Sequence, residues 1–117
     1  MIQDFRSGSC PTELFADVCI VGAGPAGIAL ATALAGSRWT VCLLEGGGPC
    51  GEVASQALNE GESVGPYALD PAASRLRALG GATRIWGGGC IPMSAAEMAR
   101  RDWVPGDGWP IAWDELV

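Results

Sequence analysis

Histidine is absent from these 117 residues. The five cysteines, Cys10, Cys19, Cys42, Cys50 and Cys90, show neither C-x-x-C nor zinc-finger spacing, so a metal centre has no ligand set to stand on. Basic clusters are missing too. Seven arginines are scattered among 13 acids for a net charge of −6, which argues against nucleic acid or an anionic membrane as a partner. Charge is scarce overall, 17% of residues against ~25% in ordinary domains, while hydrophobic residues reach 49% before the 18 glycines are counted. A surface so poor in charge expects to be covered, and the chain reads as the N-terminal piece of a larger protein.

An unbroken apolar span is also lacking. Thr32 is the only polar side chain across residues 18–35, which touches the ~18-residue threshold for a membrane-spanning helix. Gly22, Gly24, Pro25 and Gly27 break that run near its middle. A secretory signal is equally disfavoured, because Asp4, Glu13 and Asp17 precede the run and Arg6 is the only basic residue there. A cytoplasmic location is therefore expected, and an odd number of cysteines suits a reducing compartment.

What is present is concentrated in residues 18–45. Val18, Ile20 and Val21 read as a short strand buried on both faces, with Asp17 at its water-facing entrance. The strand runs into Gly22-Ala23-Gly24-Pro25-Ala26-Gly27 and then into an alanine-rich helix expected to reach Ala35, with Gly36 and Ser37 as its stop. Each glycine has a physical task in such a turn. Gly22 lets the chain leave the strand sharply, Gly24 lets a pyrophosphate reach the backbone, and Gly27 lets the helix pack close to the sheet. Pro25 suits the first helical turn, and the helix dipole and open N–H groups favour phosphate.

A second strand, residues 39–44, ends on Glu45, where a carboxylate can accept hydrogen bonds from both ribose hydroxyls of an adenosine. A 2′-phosphate would be repelled there, which disfavours NADP. Together these features make a dinucleotide-binding fingerprint. The competing reading is a strand-turn-helix whose glycines serve packing only. The fold class expected is α/β: the N-terminal βαβ portion of a Rossmann-like FAD/NAD(P)-binding domain, residues 17–117, preceded by an arm over residues 1–16.

Beyond Glu45, Gly46-Gly47-Gly48-Pro49 makes a flexible turn near the expected adenosine, and residues 52–58 can form two turns of helix. Asp70 can cap a helix with Pro71 in its first position, continuing through Ser74, Arg75, Leu76 and Arg77 and ending at Gly80-Gly81. Residues 79–90 are dominated by glycine around Thr83 and Trp86. Such a backbone can approach a flavin ring or a pyrophosphate, with N–H groups and the Thr83 hydroxyl as donors and Trp86 as an aromatic wall. A glycine-rich turn with Trp86 in a core fits equally. Ser94-Ala95-Ala96-Glu97 is a capping box, predicting a structural helix from Ala95 to about Arg101. Trp103, Trp109 and Trp113 read as packing anchors, and Cys19 and Cys42 as core fillers.

Four stretches carry a family resemblance: residues 17–27, residues 44–47, Arg77-Ala-Leu-Gly-Gly-Ala-Thr-Arg-Ile-Trp-Gly-Gly88, and Gly108-Trp-Pro-Ile111. They resemble the N-terminal part of glucose-methanol-choline oxidoreductases, nearest to bacterial choline-dehydrogenase-like and sugar or polyol dehydrogenase members. The resemblance implies non-covalent FAD. Gly22, Gly24, Pro25, Ala26 and Gly27 would lie at the pyrophosphate, Glu45 and Gly46 at the adenosine ribose, and Gly80, Gly81, Thr83, Trp86, Gly87 and Gly88 beside the flavin. It also implies oxidation of an alcohol, sugar or polyol carbon by hydride transfer to flavin N5, with a histidine taking the hydroxyl proton. That histidine belongs to a far C-terminal part, so no residue of this chain is assigned a catalytic role. Ile85 stands where several relatives carry a histidine that bonds to the flavin, hence the non-covalent expectation.

A FAD-dependent disulfide reductase is the competing enzyme class, because Gly89-Cys90-Ile91-Pro92 resembles half of that redox motif. The partner position of a C-x4-C pair is Ile85, which leaves Cys90 alone, and a small packed residue is the plainer reading. A non-catalytic cofactor-binding remnant is the remaining alternative.

Overall fold

A computed structural model describes residues 1–8 and 11–116. Cys10, counted above among the five cysteines, lies outside the described residues, as do Ser9 and Val117. The chain forms two compact units, Met1–Trp86 and Gly87–Val117.

The first unit is built on a parallel pair of strands, β1 (Val18–Val21) and β2 (Val41–Leu44), joined by helix α1 (Pro25–Leu34). Val18 pairs with Val41 and Val21 with Leu44, so the strands are matched end to end. Apolar residues fill both strands, as a parallel ladder with a helix laid over it requires. The ladder is extended at each end. Thr40 O accepts from the N–H groups of Asp17 and Val18, the Asp17 carboxylate accepts from Thr40 N–H at 2.7 Å, and Gly22 N–H donates to Leu44 O at 2.7 Å. Those Thr40 bonds hold the exposed Asp17 carboxyl below its ordinary pKa. β2 begins at Val41 rather than residue 39, since Thr40 is engaged as the closing bracket of the ladder.

Side chains alternate across a strand. Ile20, 7% exposed, faces α1, whose Gly27 lies against it. Burial of this kind stabilises by roughly 1.5–3 kcal/mol per large aliphatic side chain. On the other face Cys19 is exposed and Val21 is 84% exposed, so the expectation of a strand buried on both sides, with Cys19 as core filler, does not hold. The reason is that helix α1 covers one face only. The second face carries an open apolar hollow of about 330 Å³ lined by Leu14, Cys19, Cys42 and Leu44 among others.

Helix α1 stops within a residue of its predicted end, with Ala35 as its C-cap and Gly36 in the left-handed region at φ 78°. Helix α2 spans Val53–Ala57, with Glu52 as N-cap. Helix α3 is Pro71–Ser74, capped by the Asp70 side chain on Ala72 N–H at 2.9 Å as anticipated, but it ends far short of Gly80. Arg75 is already extended, at φ −129° and ψ 146°. Residues 75–77 are tied by a polar strap to α2 and its C-terminal turn. Gln56 Nε2 donates to Arg77 O at 2.7 Å, Arg77 N–H donates to Gln56 Oε1 at 3.1 Å, and Asn59 Nδ2 donates to Arg75 O at 3.3 Å. Asn59 is buried, and its Oδ1 also accepts from Arg77 Nε at 2.8 Å.

In the second unit, α4 (Ala95–Met98) has the full capping box: Glu97 N–H donates to Ser94 Oγ, and Ser94 N–H donates to Glu97 Oε2 at 2.7 Å. It ends at Met98 instead of Arg101. Met98 O accepts from Trp109 N–H at 3.2 Å, and Arg101 N–H is taken by the Asp107 carboxylate at 3.0 Å, which draws the chain out of the helix. Helix α5 is Trp113–Leu116. Trp113 Nε1 donates to Met93 O at 2.8 Å, while Trp103 stands 80% exposed. Among the described residues no helix is long and apolar enough to cross a membrane.

Candidate functional site

The glycine turn is shaped by what each residue can and cannot carry. Gly22 leaves β1 at φ 97°, in the left-handed region that costs a residue with a Cβ about 1–2 kcal/mol. Gly27 has no room for a Cβ, which would stand 2.0 Å from the Gly22 carbonyl oxygen and 3.4 Å from Ile20 Cγ2. Gly24 is the opposite case. A Cβ there would meet nothing within 4 Å, so its bare backbone fronts open space. Gly24 is also the N-cap of α1, with Pro25 in the first turn and no side-chain cap bond. The N–H groups of Ala26 and Gly27 therefore sit at the uncapped, positive end of the helix.

Two further segments meet this turn. From the end of β2, Glu45 reaches back, its Oε2 accepting from Ala23 N–H at 2.7 Å and its Oε1 accepting from Gly47 N–H at 2.9 Å. From the second glycine stretch, Gly80 N–H donates to Ala23 O at 2.8 Å, and a Cβ on Gly81 would lie 3.2 Å from Gly24 Cα. Ala23 is consequently buried, with both its backbone polar groups engaged. The loops are also tied to each other. Leu79 N–H donates to Gly48 O at 3.0 Å, and Gly47 packs so tightly on Arg77 that a Cβ would stand 2.2 Å from the Arg77 carbonyl oxygen.

Residues 22–27, 45–48 and 77–81 thus converge on one spot. The sequence reading missed the seam between Gly47 and Ala78, the latter fully buried, because nothing local in either segment announces the other.

Residues 81–84 form a 3-10 turn. Inside it the Thr83 hydroxyl donates to Gly80 O at 2.5 Å, so its proton is engaged within the loop and its oxygen keeps acceptor capacity. Arg84 donates to the carbonyl oxygen of Pro49 and lies on the surface. Gly46 is exposed, with the Arg77 guanidinium 3.6 Å from where its Cβ would be. Trp86 is 48% exposed at the end of the first unit. Gly87 and Gly88 open the second unit, and a Cβ on either would meet nothing within 4 Å. Cys90 is exposed, which sets aside the reading of it as a packed residue.

A parallel β-α-β unit, a glycine turn bare at Gly24, and an acid at the end of the second strand define a dinucleotide-binding module of the Rossmann-like class. The chain belongs to the NAD(P)-binding Rossmann-like domain family, whose model matches residues 20–87. That span contains every element of the converging site. No curated protein and no solved structure matches the chain.

Proposed function

We propose that this chain is the N-terminal FAD-binding part of an oxidoreductase of the glucose-methanol-choline type, acting on CH–OH groups of alcohols, sugars or polyols. The observation that carries the reading is the open space in front of Gly24 at an uncapped helix start, with the Glu45 carboxylate bonded to the N–H of the adjoining Ala23. A diphosphate fits there because main-chain N–H groups and the helix dipole attract it and no side chain intervenes. In this reading Gly22, Gly24, Pro25, Ala26 and Gly27 hold the pyrophosphate, and Glu45 with Gly46 faces the adenosine ribose. Gly80, Gly81, Thr83, Trp86, Gly87 and Gly88 lie beside the flavin.

FAD, when bound, supplies a hydride acceptor at flavin N5. The protein's own contribution from these residues is binding and orientation. A base for the substrate hydroxyl lies outside this sequence, which has no histidine. Ile85 offers no nucleophile for a covalent flavin link, and the absence of a C-x4-C partner for Cys90 weighs against disulfide reduction. The family description favours a second reading, a nicotinamide dinucleotide in the same turn.

Titration of the chain with FAD, NAD and NADP, followed by flavin fluorescence and calorimetry, separates the two. FAD should bind and NADP should not, since a 2′-phosphate would meet the Glu45 carboxylate. Glu45→Ala should weaken FAD binding by about 1–3 kcal/mol, the scale of lost charge-assisted hydrogen bonds. Bound flavin should not bleach on addition of alcohol, because the chain lacks the base. Preferential binding of NAD or NADP, or binding of no dinucleotide, overturns the proposal.

A further inference from the structure

Glu45 has a second task that follows from its position in the ligand-free protein. Both carboxylate oxygens accept main-chain hydrogen bonds, Oε2 from Ala23 and Oε1 from Gly47. Ala23 is the residue between the glycine that makes the turn and the glycine that fronts open space. Its N–H is fixed by Glu45 and its carbonyl by Gly80 N–H, at 2.7 and 2.8 Å. Gly47, the other donor, is wedged against the Arg77 carbonyl, where no Cβ fits, so this end of the clamp is anchored in the body of the unit.

We propose that Glu45 is a positioning residue for the phosphate-binding turn, holding residues 22–24 in the receptive shape before any nucleotide arrives, in addition to facing the ribose. The inference rests on the dinucleotide reading for its functional meaning, though the clamp itself does not require a ligand. Only a carboxylate suits the geometry. It accepts on both oxygens, whereas a glutamine amide would turn its own N–H groups toward one of the two donors. Each oxygen retains acceptor capacity, so clamping Ala23 and Gly47 leaves Glu45 able to take ribose hydroxyls as well.

The two roles separate with a pair of probes, ADP and 2′,3′-dideoxy-ADP, the second lacking the hydroxyls that a ribose ligand would bind. If Glu45 is a positioning residue, Glu45→Gln weakens both probes about tenfold or more, the scale of a lost bond to a charged acceptor. If it is only a ribose ligand, Glu45→Gln weakens ADP and leaves 2′,3′-dideoxy-ADP unchanged, which overturns the inference while leaving the dinucleotide reading standing. An unmodified chain that binds neither probe defeats the dinucleotide reading instead.

Amide exchange in the ligand-free chain then decides the clamp on its own. Ala23 and Gly47 should be protected in the unmodified chain and should exchange about tenfold faster or more in Glu45→Gln. Should the variant fail to fold, the unmodified chain still decides. Ala23 and Gly47 amides exchanging at their unprotected rates contradict the clamp, and protection of both supports it.

Discussion

Two glycine clusters in this chain look alike on paper and differ in three dimensions, most of all at Gly27. In residues 22–27, Gly22 needs a left-handed backbone and Gly27 has a carbonyl oxygen where its Cβ would be. In residues 87–89 a Cβ would meet nothing within 4 Å at any position, and only Gly88, at φ 77°, has a backbone reason to be glycine. Glycine density is therefore no guide to a site. What distinguishes the strand-to-helix turn is the combination: Gly27 is forced by contact and Gly22 by its backbone, while Gly24 between them is bare and faces open space.

Substitution by alanine breaks the comparison open. The largest effect is expected at Gly27, where the new Cβ would drive α1 away from the Gly22 backbone. Gly27→Ala should destabilise the first unit by roughly 1–3 kcal/mol or more, read as a lower midpoint in urea unfolding. Gly88→Ala should cost about 1–2 kcal/mol through its positive φ alone. Gly87→Ala and Gly89→Ala should change stability by less than about 0.5 kcal/mol. A Gly27→Ala protein as stable as Gly87→Ala would erase the distinction.

Acid sharpens the contrast between the units in a different way. Arg101 beside Asp107 holds that carboxyl well below the usual carboxylate range in the second unit, and Arg6 holds Asp4 at about 2 in the first. Both carboxyls have lowered folded-state values, so their contribution is complete above about pH 4, the unfolded value. It is lost as pH falls through the folded value. Asp107→Asn should remove acid sensitivity below about pH 4 from tryptophan signals of residues 103–113 and leave the first unit's acid response intact. The Arg6–Asp4 pair is exposed while Asp107 is half-buried, so added salt should flatten the first unit's response more than the second's.

Legibility in the sequence followed the range of the interactions. The glycine turn, the Pro25 start of α1, the Asp70 cap and the Ser94-Glu97 box were readable because each is satisfied within a few residues. Helix α3 is shorter than the sequence predicts, because Arg75, Leu76 and Arg77 have good helical propensity while the strap from Gln56 and Asn59 that engages their backbone acts from 16 to 21 residues away. The apolar run predicts burial of Cys19 and Val21 because a parallel strand is usually covered on both faces, whereas α1 lies on one. The seam of Gly47 against Arg77 left no local trace. The sequence points the Glu45 carboxylate at a ribose, and only the fold brings it to the N–H groups of Ala23 and Gly47.

The central claim is that a diphosphate rests on the main chain in front of Gly24. Titrating ADP into isotopically labelled protein and mapping amide shifts tests it most directly. The largest changes should fall on residues 22–27, followed by Glu45, Gly46 and Gly47, with Gly80 and Gly81 responding through their contact with the turn. Shifts centred instead on the apolar hollow beside Leu14 and Cys19, or an amide spectrum unmoved at saturating ADP, would contradict the account.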